Sequence, residues 1–199
     1  MTTYRLKTPI SEEYIRKLNA NDTLFVSGTM VTARDQAHKR ALEFAQAGKT
    51  LPINLEGLAV FHCGPVVRKQ DSSWIAVAAG PTTSKRMEVY ESDFISHFKP
   101  RLIIGKGGMG EKTTEAMAKY GAVYCAFAGG AAVVAAKAIK EVSDVHWLDL
   151  GMPEAMWVLE VLNFGPMVVA IDSHGKNVFR AVSEQVAKNR ERILREFEL

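Results

Sequence analysis

The chain has 199 residues, 47% of them hydrophobic and 24% charged, and a formal net charge of +3. These proportions belong to an ordinary globular domain and exclude a disordered or collagen-like chain. No apolar run approaches the roughly 20 residues that span a bilayer, and no basic block or aromatic–basic pattern marks a nucleic-acid face. The opening segment MTTYRLKTPISEEY lacks a signal peptide's apolar core, so a cytoplasmic protein without membrane or nucleic-acid partners is expected. The two cysteines, Cys63 and Cys125, lack the spacing of a zinc or cluster site. A disulfide between them is not expected in a reducing compartment.

In chain order, Ser11 followed by Glu12 and Glu13 reads as an N-cap and acidic first turn of a short helix carrying Tyr14, Ile15 and Leu18. Residues 24–26 form a strand that continues through Gly28 to Val31. Asp35 caps a helix over 36–46, with Ala37, Ala41, Leu42 and Ala45 on one face and Gly48 closing it. The text from 58 to 79 is β, with LAVFHC, GPVV, a polar turn at 70–73 and WIAVAA reading as a hairpin. After 100 the rhythm changes. LIIG, a helix near 111–120, VYCAFAGG, a helix near 131–142 and VHWLDLG alternate strand with helix, the signature of a parallel sheet. Residues 167–171 are a buried strand ending in Asp172-Ser173-His174-Gly175, and 179–197 form a terminal amphipathic helix. No repeat, linker or low-complexity segment divides the chain, so residues 1–199 are expected to form one layered α/β domain.

Chemistry-bearing residues gather between 80 and 110. Thr82, Thr83, Ser84 and Arg86 follow a Gly-Pro turn, and strand 102–104 runs into Gly105-Lys106-Gly107-Gly108-Met109-Gly110. Cations beside hydroxyls and bare backbone suit a small anion. The glycine run is no Walker loop, which needs its lysine after the second glycine and a Ser or Thr next. It fails the dinucleotide fingerprint as well, since the glycine offsets are wrong. Either the glycines let backbone N–H groups approach a ligand or they only permit a turn. Lys106 favours a ligand, because ligands of α/β sheets bind at the carboxyl ends of parallel strands. Thr82 and Arg86 share a face if their segment is helical. Arg34 beside Asp35 is a local ion pair or a second anion contact. His38 and His62 read as structural histidines, and Asp172 with His174 as half of a dyad or as turn chemistry. No Gly-x-Ser-x-Gly elbow supports a hydrolase. The residues alone therefore indicate an anion-binding α/β domain and no reaction.

Six ordered blocks say more: GTMVTARDQAH (28–38), FHCGPV (61–66), GPTTSKRM (80–87), GKGGMG (105–110), LGMPEA (150–155) and FGPMVVAIDSHG (164–175). Together, and over nearly the whole chain, they resemble the β subunit of class I (iron–sulfur) fumarate hydratase, a pattern shared with the β subunit of L(+)-tartrate dehydratase. The resemblance implies a swivelling β/β/α layered domain with mixed parallel and antiparallel sheets and a C-terminal helix. It also implies a 4Fe-4S cluster carried by a partner α subunit on three cysteines, with the active site between the subunits. Pairing of two β subunits would be compatible with it. The position matching Thr82 handles the proton at carbon, helped by an aspartate of the other domain. Those matching Arg34, Arg86 and Lys106, with the backbone at Gly107, hold the substrate carboxylates. A threonine is a poor base unaided, so Lys106 or a partner carboxylate must activate it. The expected reaction is reversible hydration of fumarate to (S)-malate. Dehydration of tartrate to oxaloacetate is the alternative within the class, and a non-catalytic anion-binding or regulatory module the alternative outside it.

Overall fold

Three short apolar runs organise the molecule because they are buried on both faces. In the computed structural model, which describes residues 1–197, they are strands β3 (Ala59–Phe61), β6 (Leu102–Gly105) and β7 (Val123–Ala126), each paired in parallel with the next. Side chains alternate across a strand. Ala59, Phe61, Leu102, Ile104, Val123 and Cys125 therefore enter one core cluster, while Val60, Ile103 and Tyr124 enter a second. The second cluster is completed by helices α2 (Asp35–Gln46), α3 (Glu88–Phe98) and α4 (Glu111–Tyr120), which supply Ala37, Ala41, Phe94, Ile95, Ala116 and Met117.

The first cluster is enclosed by sheet. Strand β2 (Thr23–Thr32) pairs in parallel with β1 (Thr3–Lys7) along its first half and with β3 at Met30–Thr32. Its other edge pairs antiparallel with β9 (Met156–Ile171), which also pairs with β7 near its end. The path β2–β3–β6–β7–β9–β2 thus returns to its start, closing part of the nine-stranded sheet around Phe61, Phe127 and Phe164. From β9 the sheet runs on through β8 (Ile139–His146) and β5 (Ser73–Ala78) to β4 (Val66–Gln70). The remaining helices are α1 (Glu12–Ile15), α5 (Ala132–Ala138) and α6 (Val178–Glu196). The architecture is mixed α/β with parallel and antiparallel strands and a C-terminal helix.

Several expectations hold in detail. Ser11 caps α1 by accepting from the Tyr14 N–H. Of the hairpin expected over 58–79, residues 66–78 form it, while Ala59–Phe61 pair in parallel with β2 and β6 instead. Others do not. The helix expected over 131–142 ends at Ala138, because the β-branched residues of Ile139–His146 pair with β9 instead. The expected strand VHWLDLG breaks at Trp147, and Leu148–Leu150 form a 3₁₀ turn. The expected strand 167–171 is only the end of the 16-residue β9. The alternating rhythm of the later half also misleads, since β8 and β9 pair antiparallel. Residues 198–199, included in the expected domain, lie outside the described residues. Among the described residues no helix is long and apolar enough to cross a membrane.

Candidate active site

The parallel strands β2, β3 and β6 end side by side, at Thr32, Phe61 and Gly105, and the loops leaving them carry most of the predicted site. Arg34 leaves β2 and forms the N-cap position of α2, so Asp35, expected there, is instead the first helical residue. The Arg34 side chain reaches Glu154, with Nε 3.1 Å from Oε1. Its Nη1 packs against Gly64, where a Cβ would stand 2.7 Å from the Pro153 carbonyl oxygen and 2.8 Å from Nη1, so the loop after β3 needs glycine at that point. Glu154 serves two elements, because its other oxygen accepts from the Gln36 N–H at 2.9 Å.

Thr82 lies between the loops after β3 and β6. Its N–H donates to the His62 carbonyl at 2.7 Å, and its own carbonyl accepts from the Lys106 N–H at 3.2 Å. The backbone at Ser84 adds a bond to the Lys106 carbonyl at 3.0 Å. Thr82 and Lys106 are thereby held as neighbours. Thr82 and Arg86 do not share a helix face: the 3₁₀ turn begins only at Ser84, after an extended Thr83. Arg86 instead donates to Asp35 at 2.5 Å, beside Arg34. Burial works to raise the Asp35 carboxyl, but the Arg86 hydrogen bond and charge outweigh it and hold the group below its ordinary range. Two groups result, Arg34 with Arg86 through Asp35, and Thr82 with Lys106, which Gly107 follows. The His62–Gly64 segment lies between them. Thr82 is half-buried and Arg86, Lys106 and Gly107 are exposed.

The glycine run has a packing explanation for most of its members. A Cβ at Gly105 would stand 1.9 Å from Ser84 Oγ, one at Gly108 2.8 Å from Phe179, and one at Gly110 2.5 Å from Glu88. Gly107 has φ +74°, the left-handed region. At the start of α4, Glu88 accepts from the N–H of Gly110 and the N–H and hydroxyl of Thr113, so these donors are already engaged. A carboxylate of the chain thus occupies the anion position that a phosphate would take. The adjacent cavity of about 370 Å³ is lined by Lys85, Met109, Phe179 and Arg180 among others, and by none of the four predicted side chains.

Asp172 and His174 form no dyad. The Asp172 carboxylate accepts from the backbone N–H groups of Ala20, His174 and Lys176, which is turn chemistry. His38 and His62 are fully buried as structural histidines, but sequence reasoning missed the carboxylate between them, Glu91. It also missed Glu154 and Glu88. Nothing in the sequence separates these glutamates from surface ones except that Glu91 lies one helical turn from the apolar Met87, Phe94 and Ile95.

The profile of the family described as "Fumarase C-terminus" matches residues 1–182. The chain belongs to the fumarase C-terminus family. Within it, the chain is 42% identical over 191 residues to the L(+)-tartrate dehydratase subunit beta of Escherichia coli (strain K12), covering 96% of this chain and 94% of that protein. It is 41% identical over 178 residues to a putative L(+)-tartrate dehydratase subunit beta of Methanocaldococcus jannaschii, covering 89% and 91%. A putative fumarate hydratase class I of Geobacillus stearothermophilus is 41% identical over 180 residues, which span 90% of this chain but 34% of that protein.

This member of the fumarase C-terminus family has no cysteine set fitted to an iron–sulfur cluster. Cys63 and Cys125 are both buried in the sheet-enclosed core. Burial pushes the Cys63 thiol up to about 12 and raises that of Cys125 as well, so neither is a ready thiolate ligand.

Proposed function

We propose that this chain is the substrate-gripping subunit of a two-subunit hydro-lyase that dehydrates a small hydroxy-dicarboxylate, L(+)-tartrate first. One observation carries the proposal. Arg34, Thr82 and Lys106 stand on loops at the carboxyl ends of adjacent strands or between them, and Arg86 is tied to the Arg34 loop through Asp35. That is where an α/β sheet presents its ligand groups. A dicarboxylate carries two negative charges, and losing a proton from the carbon beside one of them places more charge on that carboxylate. Fixed guanidinium and ammonium groups stabilise that charge as it develops.

In this proposal Arg34 and Arg86 bind the carboxylates through forked N–H pairs, and Lys106 adds a point charge. Thr82 Oγ first passes its own proton to the Lys106 amine and so makes it the ammonium. It then takes the proton from carbon while the C–O bond of the neighbouring carbon breaks, and the departing hydroxide leaves with that proton. The product is an enol that tautomerises to oxaloacetate, with release of one water. The threonine hydroxyl becomes basic enough only beside an activating group, for which Lys106 is the neighbour in this chain. The resemblance assigns the 4Fe-4S cluster to a partner α subunit with three ligating cysteines, and the buried thiols here agree with that division.

The substrate order departs from the expectation of fumarate hydration. Relatives matched over most of their own length are named tartrate dehydratase β subunits, which supports tartrate. Fumarate remains the second reading, supported by the class I fumarate hydratase relative. Anaerobic reconstitution with a cluster-loaded α chain and parallel assays on tartrate, malate and fumarate tests both. Turnover of tartrate above the others is expected. Turnover of fumarate or malate alone would move the second reading to first, and a loaded complex inert on all three would leave only the binding module.

A further inference from the structure

Beneath the loops of the proposed site lies a line of buried polar side chains that the chemistry above does not use. His38, His62 and Glu91 are fully buried. His62 Nε2 is 3.0 Å and His38 Nε2 3.5 Å from the same oxygen, Glu91 Oε2. On one side, His38 Nδ1 is 2.8 Å from the Arg34 carbonyl. On the other, His62 Nδ1 is 2.9 Å from Ser84 Oγ, which is 3.0 Å from the Tyr124 hydroxyl, which is 2.9 Å from the Gly107 carbonyl. The line therefore runs unbroken from the backbone of Arg34 to the backbone of Gly107. Its middle residue, His62, is the one whose carbonyl receives the Thr82 N–H.

The terminal carbonyls fix the protons, since a carbonyl only accepts. His38 Nδ1 must carry hydrogen. An arrangement without net charge then supplies five hydrogens for the six contacts, so every contact has a donor except one of the two made by Tyr124. His38 is an imidazolium against an ionised Glu91, His62 is neutral with hydrogen on Nε2, Ser84 donates to His62 Nδ1, and Tyr124 donates to Ser84 or Gly107. The two contacts to Glu91 are close but poorly aligned, so they act through charge more than as directed hydrogen bonds. Such a buried pair is a weak source of stability, because desolvation offsets most of the attraction. Nor is the line a proton relay, since neither carbonyl end can take up a proton. The cluster also offers only three ligand atoms, all buried. A closed structural metal site takes four, and an open one needs solvent.

We propose that His38, Glu91, His62, Ser84 and Tyr124 are positioning residues that set the backbone of the Arg34, Thr82 and Gly107 loops, and so the spacing of the groups that grip the dicarboxylate. The inference rests on the proposed function. Removing the Tyr124 hydroxyl frees the Gly107 carbonyl and relaxes the Lys106 loop while leaving the ring in the core. In the reconstituted complex, Tyr124→Phe is expected to lower kcat/KM for tartrate by about 10- to 100-fold, the scale of a small misplacement away from the chemistry. Most of the loss should appear in KM, and Ser84→Ala should behave alike. Arg34→Ala is the control for the site itself. If Arg34→Ala loses activity while Tyr124→Phe and Ser84→Ala stay within twofold of the parent, the positioning role is overturned and the site stands. If Arg34→Ala keeps full activity, the site reading fails and the network's role falls with it.

A second readout needs no variant. Nitrogen-15 NMR of the full chain at neutral pH should show hydrogen on both His38 nitrogens and on only one of His62. The charged groups facing His38 are Asp35 on its own helix and Glu91 on α3, with neutral His62 beside it. A neutral His38, or a stoichiometric bound metal, would overturn the network as drawn.

Discussion

Arg34 and Arg86 both meet a carboxylate of their own chain, but under different conditions. The Arg86–Asp35 pair is partly open to solvent, at 46% and 28% side-chain exposure, and pairs so placed contribute little. A substrate carboxylate can displace or share Asp35 at small cost. The Arg34–Glu154 pair is less exposed, at 23% and 18%, and its cation is held in place before substrate arrives. Arg86→Lys should therefore raise KM for the dicarboxylate by about tenfold or more, because an ammonium cannot make the forked contact; unchanged steady-state kinetics would remove Arg86 from the site. Thr82→Ala should cost about 10²- to 10⁴-fold in turnover, the range of a positioned acid–base group. Near-normal turnover in a reconstituted assay would show that Thr82 only spaces the two loops. The sequence blocks made these side chains legible as residues but not as a geometry. Thr82 and Arg86 looked like partners on one helix face, whereas Thr82 precedes the 3₁₀ turn and its backbone is tied to His62 and Lys106. Asp35 stood beside Arg34 in sequence, yet its ion pair is with a cation more distant along the chain.

At the level of elements, the glycine loop shows why spacing alone misjudged the site. Gly105 is required because Ser84 Oγ occupies the place of its Cβ, and Ser84 in turn contacts His62 and Tyr124. Gly105→Ala has no room and should destabilise the chain by about 1–3 kcal/mol, the cost of overpacking, measurable as a fall in the denaturant midpoint. A midpoint equal to the parent's would mean that the loop yields easily and that its glycine serves ligand approach instead. Glu88 is the matching case at the start of α4. Glu88→Ala leaves the Gly110 and Thr113 amides without their acceptor, and a loss of about 1–2 kcal/mol is expected from the missing cap. The elements that sequence reasoning found are those whose patterning agrees with their surroundings, such as β3, β6 and β7 with their continuous apolar runs. Strand β9 was cut short because only the continuous apolar run 167–171, which follows Gly165-Pro166, marked it as a strand. The structure places that pair at a shift of register opposite Leu24–Val26, where no ladder N–H is demanded of the proline. The stretch 139–142 was read as helix because only its partners, Trp74 on β5 and the first half of β9, decide for strand.

For the whole molecule, the buried histidine–glutamate cluster links stability to pH in a way that can be signed. Burial lowers the affinity of His38 for a proton, but the charge of Glu91 more than compensates, so its pKa is raised in the fold. For His62 burial prevails over Glu91, and the pKa is lowered. Burial tends to raise Glu91, but the two histidines bring it down to about 2. A raised group stabilises fully below its unfolded value, so the His38 contribution fades as pH rises above about 6.5 and through its folded value. A depressed group does the reverse, so the His62 contribution fades as pH falls below about 6.5. The Glu91 contribution is present above its ordinary value of 4.5 and is lost as pH falls toward 2. These terms together place their combined maximum near the unperturbed histidine pKa, with decline on either side. The carboxylate is the source of the His38 shift, so Glu91→Gln should remove the alkaline decline, while the acid decline deepens because His62 loses the same charge. Denaturant midpoints of the chain and its Glu91→Gln variant, compared from pH 5 to 9, test this. The difference between the two should narrow steadily above about pH 6.5 as the parent loses its His38 contribution, and a difference independent of pH would mean that His38 is neutral in the native fold.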